Sequence, residues 1–143
     1  MAGSLGQTYH LTTSERLKVH VVTLAFTADS SGTFTATNIA QWIMDKIQGS
    51  YLFKIKTFPT PSGTAPTASW GVTLTDDDGL DVLGGVGASQ SHSAALASVP
   101  KQDTAQALYG PVLIGENNGA TLTLGLSGVG NNANGTIRLY FSG

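Results

Sequence analysis

From Trp70 to Gly87 the chain reads WGVTLTDDDGLDVLGGVG, and no other stretch constrains the fold as closely. Trp70, Val72 and Leu74 alternate with Gly71, Thr73 and Thr75, the period of two that a half-buried strand requires. The strand breaks into an acidic turn, Asp76-Asp77-Asp78-Gly79, and a short apolar step of Leu80, Val82 and Leu83 follows. Gly84, Gly85 and Gly87 then read as a flexible exit. A core strand, a charged corner and a glycine exit in so short a space predict a protein of short strands and tight joints.

The same period recurs elsewhere. Over Arg16–Thr27, Leu17, Val19 and Val21 alternate with Lys18 and His20, then Val22, Leu24 and Phe26 alternate in the opposite phase. That flip predicts a β-bulge at Val21-Val22, or a strand that leaves one sheet for another, with His20 on the polar face. Asp29-Ser30-Ser31-Gly32 is a turn by composition, and Thr33–Thr37 a short return strand. Asn38–Ile47 predicts the single helix: Asn38 suits an N-cap, Ile39, Trp42, Ile43 and Ile47 recur at helical spacing, and Gly49 stops it. A strand running into Gln48-Gly49 is the competing reading.

Tyr51–Phe58 alternates again, with Tyr51, Phe53 and Ile55 on one face and Leu52, Lys54 and Lys56 on the other. Pro59, Pro61, Gly63 and Pro66 make the next connection a loop. Residues 88–110 read as a long surface loop with one helical turn at Ala94–Ala97, after which Pro111–Ile114 resumes extended structure. Ala120–Leu126 points Leu122, Leu124 and Leu126 inward, and Ile137, Leu139 and Phe141 alternate with Arg138 and Tyr140. Two such runs around Asn134-Gly135 predict a hairpin. The sum is an all-β protein, mainly antiparallel: a β-sandwich or flattened barrel with at most one short helix. A single domain is expected over 14–143. Residues 1–13 precede it as an N-terminal arm or edge strand, anchored by Leu5, Tyr9 and Leu11.

At 143 residues the chain is long enough to bury roughly 70% of its unfolded surface without cross-links. It has no cysteine, which removes disulfides, thiol chemistry and Cys-based zinc sites. Charged residues make up 11%, against about 25% in an ordinary soluble protein. The 18 glycines, 18 threonines and 13 serines build a surface that copies of the chain repel only weakly, and a net charge of −2 does not oppose their approach. Assembly is the expectation, with an unusual monomer as the alternative. The seven Lys and Arg residues are scattered between positions 16 and 138 with no clustered stripe, which argues against a nucleic-acid partner. No apolar stretch approaches the roughly eighteen residues of a membrane span. The N-terminus lacks the basic start and apolar middle of a signal peptide, so a product that stays soluble in the cell that makes it, with no membrane partner, is expected.

The motifs that carry chemistry fail on inspection. Placing Gly79 at the sixth position of a calcium-binding loop puts Leu74 first and Gly85 twelfth, where carboxylates belong, so the aspartates at 76–81 read as a solvated turn. Gly128-Val-Gly130-Asn-Asn-Ala133 has the letters of a dinucleotide fingerprint, but a strand follows where a helix is needed. Gly125-Leu-Ser127-Gly has Val129 where a nucleophile elbow needs glycine. His10, His20 and His92 pair with no nucleophile. No catalytic residue, cofactor or metal ligand can be assigned, and the chain reads as a non-enzyme. Trp42, Trp70 and the tyrosines would suit a glycan-binding module, although large aromatics in alternating strands are more often core.

Gly63–Gly87, with Thr75-Asp-Asp-Asp-Gly-Leu-Asp-Val-Leu83 at its centre, resembles a family of small tailed-bacteriophage virion proteins found among head and capsid-morphogenesis genes. Leu122-Thr-Leu124, Gly130-Asn131 and Gly135-Thr-Ile-Arg-Leu-Tyr140 match that family's closing segments, so the resemblance spans about residues 50–141. It departs around Trp42, at Val86 and in the longer 88–110 loop. The resemblance implies a virion structural protein. A capsid decoration or cement protein is the leading expectation, a homo-oligomer with a trimer favoured, bound to the major capsid protein or other virion proteins and located in the virion. A neck, tail or fibre-base adhesin is the alternative. The N-terminal arm and the 88–110 loop would make the contacts, through Leu5, Tyr9, Leu11, His92, Leu96, Leu108 and Tyr109.

Overall fold

The computed structural model describes residues 3–59, 64–103, 108–115 and 119–143. In chain order its elements are β1 (Ser4–Thr13), β2 (Lys18–Thr27), β3 (Thr37–Asn38), α1 (Gln41–Ile47), β4 (Tyr51–Pro59) and β5 (Gly71–Asp76). There follow β6 (Leu96–Ser98), β7 (Lys101–Asp103), β8 (Leu108–Tyr109), β9 (Val112–Leu113), β10 (Leu122–Ser127) and β11 (Asn134–Ser142). The large sheet runs β1-β2-β11-β4, with β6 and β9 sharing the far edge of β4. A small sheet runs β3-β10-β5, and β7 and β8 form a ribbon of their own. The described pairs are antiparallel, so the protein is all-β with one short helix, as the alternation predicts.

One cluster of buried side chains joins the two sheets. Val22, Leu24 and Phe26 of β2 and Ile137, Leu139 and Phe141 of β11 are at most 1% exposed. Val72 and Leu74 of β5, Leu122 and Leu124 of β10, and Ile43, Met44 and Ile47 of α1 belong to the same cluster. Each such side chain contributes about 1.5–3 kcal/mol on burial. Trp70 is fully buried, 5.3 Å from the Phe26 ring, and so cannot offer its face to a sugar.

Several sequence expectations are corrected by this arrangement. The phase flip in β2 is absent: its register with β1 and with β11 is continuous, and His20, Val22, Leu24 and Phe26 all face inward. A histidine can join an apolar row because both ring nitrogens are satisfied. Nε2 lies 3.0 Å from the Gly143 carbonyl, which can only accept, so Nε2 carries the proton; in the neutral ring Nδ1 then accepts from the Tyr9 hydroxyl at 2.6 Å. The bulge lies instead in β4. Lys54 pairs with Tyr140 but Leu52 with Phe141, leaving Phe53 as the extra residue, and the inward row becomes Leu52, Ile55 and Thr57.

The predicted hairpin does not form either. β10 pairs with β3 and β5 in the small sheet, while β11 pairs with β2 and β4 in the large one. Asn134-Gly135 opens β11; the connection turns through Gly128, Gly130 and Asn132, whose φ values are 62°, 95° and 55°. Val129 and Ala133 bury themselves within that connection, which carries the chain across the core rather than back along one edge.

The helix forms, but later than predicted. Asn38 sits in β3, where its Oδ1 accepts the Thr123 hydroxyl proton at 2.7 Å, and α1 starts after Ala40 with no side-chain cap. Gly49, at φ 82°, ends it as expected. The return strand shrinks to Thr37–Asn38, because Phe34 buries against Phe26 instead of extending a ladder. No helical turn occurs at 94–97; Leu96–Ser98 extends as β6 along β4. The glycine exit is tightly packed rather than flexible: a Cβ on Gly87 would collide with the Val72 carbonyl, whose own N–H donates to Gly87 at 2.8 Å.

Candidate functional site

The described residues among the seven expected to meet a partner do not form one patch. Leu5, Tyr9 and Leu11 lie on β1, at one end of the large sheet, and Leu96 lies on β6 at the other. Four strand spacings, about 19 Å, separate them. His92 is exposed between β5 and β6, and the Leu108 side chain lies outside the described residues. Tyr109 is 61% exposed, with Lys101 Nζ 5.4 Å from its ring centroid.

On β1 the alternation turns Leu5, Gln7, Tyr9 and Leu11 to the core side; the first three are partly covered, while Leu11 lies past the end of the core and stays exposed. Gln7 ties the strand to the helix entry: its Oε1 accepts the Ala40 N–H at 2.7 Å and its Nε2 donates to the Asn38 carbonyl at 3.1 Å. Tyr9 stands edge-on to Trp42 at 6.5 Å, with Lys46 Nζ 5.5 Å from its ring centroid. Burial holds the Tyr9 hydroxyl above its ordinary pKa. Leu5 and Tyr9 are therefore spent largely inside the fold, whereas Leu11, Leu17 and Trp42 remain exposed.

At the opposite edge the segment after the acidic turn closes over β4. Buried Gln90 clamps it: Oε1 accepts from the Thr57 hydroxyl at 2.7 Å, and Nε2 donates to the Val86 carbonyl at 3.2 Å. Trp70 Nε1 donates to Ser91 at 2.9 Å. An open cleft of about 630 Å³ lies against Gly84–Val86, Val99, Lys101 and Tyr109.

The outer face of the large sheet brings together residues that were not singled out from the sequence. Lys54 and Lys56 of β4 each place Nζ 5.8 Å from the Tyr140 ring centroid, and the Arg138 guanidinium lies 4.9 Å from that of Phe58. Phe53, displaced outward by the bulge, stands 6.3 Å from Tyr140. Among the described residues nothing pairs with β4 at Phe53 and Lys54 on its far side, between β9 at Tyr51–Leu52 and β6 at Ile55–Thr57. There the surface opens into a shallow hollow of about 280 Å³, lined by Phe53, Lys54, Ala97, Ser98 and Val99. The signal was present as Lys-x-Lys in β4 and Arg-x-Tyr in β11, but only their pairing makes one patch.

The acidic turn divides its carboxylates by task. Asp76 accepts backbone N–H groups from Asp78 and Leu80 at 3.0 and 2.9 Å. Asp81 accepts from Leu74, Leu83 and Gly85 at 3.0–3.1 Å. Asp77, Asp78 and Leu80 stay exposed at the tip. Among the described residues no three His, Asp or Glu side chains are grouped to hold a metal ion, and no helix is long and apolar enough to cross a membrane.

Compared with protein-family models, curated proteins and solved structures, the chain finds no match.

Proposed function

We propose that the chain is a structural protein of a tailed-bacteriophage virion: a capsid decoration or cement protein, made in the host cytoplasm and bound to the head as one of many copies. The resemblance over 63–87 supports the viral assignment. The observation that carries the mode of action is where the exposed apolar side chains sit. Leu11, Leu17 and Trp42 flank one edge of the large sheet; Leu96, Val99, Tyr109, Leu113 and Tyr51 flank the other. Edges that present apolar side chains on a rigid sandwich suit contact with neighbouring subunits. Symmetric repetition then multiplies weak contacts into stable attachment, which suits a homo-oligomer, with a trimer favoured, bridging copies of the major capsid protein.

Cryo-electron microscopy of purified particles tests this directly. Density for the sandwich at symmetry-repeated positions on the head is the expected result. Density confined to the neck, tail or fibre base would transfer the protein to the alternative role, and particles without it would end the proposal.

A further inference from the structure

We infer that the basic, aromatic face around the β4 bulge receives the acidic tip, Asp77–Leu80, of a second copy of this chain. The inference deepens the assembly reading, on which it rests for the expectation that copies meet. It begins with the sorting of charge. The strands of the large sheet hold Lys18, Lys54, Lys56 and Arg138, four of the seven basic residues, and not one Asp or Glu. Four of the nine acidic residues lie between positions 76 and 81. Two of those four are bound to backbone amides, which leaves Asp77 and Asp78 for an outside partner.

The apolar groups complete the match. Leu80, at 65%, is the most exposed large apolar side chain described, and it lies two residues from Asp78. The receiving face offers the same pair of features side by side: the Lys54 and Lys56 ammonium groups over Tyr140, and next to them the hollow floored by Phe53, Ala97 and Val99. A tip with carboxylates and a leucine meets a face with ammonium groups and an apolar recess. The chain's own tip does not fill the hollow; it lies beside Leu113, Ile114 and Thr121. Because tip and face are different surfaces, the contact is head-to-tail, and it closes into a ring if the rotation permits. A nucleic-acid strand fits less well: the rings are already covered by the protein's own cations, and the chain as a whole is acidic.

Charge exchange on the full chain tests the contact, read as mass against concentration by sedimentation and light scattering at low and high salt. Wild type should assemble and dissociate as salt rises. K54E/K56E and D77K/D78K should each weaken assembly at least 100-fold, with circular dichroism unchanged. The combined variant K54E/K56E/D77K/D78K should recover it, and Leu80→Ser should weaken it about tenfold. If both double variants keep the wild-type mass, the contact is wrong while the assembly reading stands. A monomeric wild type also overturns the contact, and the virion reading then rests on particle density alone. A wild type that binds a single-stranded oligonucleotide through Lys54 and Lys56 without self-association overturns it in favour of a nucleic-acid partner.

Discussion

The two edges of the large sheet are built in opposite ways. β1 covers one edge with ten consecutive pairs to β2, from Ser4 opposite Thr27 to Thr13 opposite Lys18. Its inward side chains are engaged by polar bonds: Gln7 with the helix entry, Tyr9 with His20. The far edge of β4 is covered by two short pieces, three residues of β6 and two of β9, with a bulge exposed in the gap between them. A terminal strand paired along its whole inner side and held by side-chain hydrogen bonds is tied into the fold. An edge left in pieces, with an aromatic residue displaced outward beside a lysine, costs little stability and leaves a surface free for a partner. Stability should therefore respond to changes at β1 and association to changes at β4.

Three substitutions sharpen that contrast in decreasing order of effect on stability. Phe141→Ala on β11, the strand between the two edges, should cost about 4 kcal/mol in denaturant unfolding, because it opens a cavity beneath both. Tyr9→Phe should cost about 1–3 kcal/mol, since His20 Nδ1 loses its donor at a buried site. The same variant should alter the alkaline limb of stability. The Tyr9 pKa is raised in the folded state, so its contribution is complete below the ordinary value of 10.0 and is lost as pH rises through the folded value; phenylalanine removes that loss. Ala97→Glu, on the outer face beside the hollow, should change unfolding free energy by no more than about 0.5 kcal/mol while weakening association. A β4-edge substitution that unfolds the protein as readily as Tyr9→Phe would erase the distinction.

The smallest effect lies away from both edges. The Thr33 amide, followed by the Ser31 hydroxyl, holds the Asp29 carboxyl below its ordinary pKa of 3.8. That contribution is present above the ordinary value and lost as pH falls through the lowered one. Asp29→Asn should flatten the acid limb of thermal stability and leave neutral pH nearly untouched.

The sequence shows the strands more clearly than their partners. Period-two alternation located β2, β4, β5, β10 and β11, because facing a core on one side imposes that pattern locally. Gly49 likewise marked the helix end through a backbone conformation that only its own residue type decides. Partner choice is not local. Nothing near Asn134-Gly135 shows that both edges of β11 belong to β2 and β4; the buried Val129 and Ala133 in its approach were the available clue. His20 misled for a related reason: its fitness for the inward row depends on Tyr9, on another strand, and on the Gly143 carbonyl at the far end of β11's path. The basic face was invisible for the same cause, since Lys54 and Arg138 come together only when β4 pairs with β11.

Amide hydrogen exchange on the full chain, at a dilute and at a concentrated condition, tests whether this protein acts through the patchwork edge rather than the stitched one. Added protection on concentration should fall at the tip amides of 77–80 and along 53–58 and 96–99, with 4–13 unchanged. Added protection on β1 instead, with 53–58 and the tip unaltered, would contradict the account.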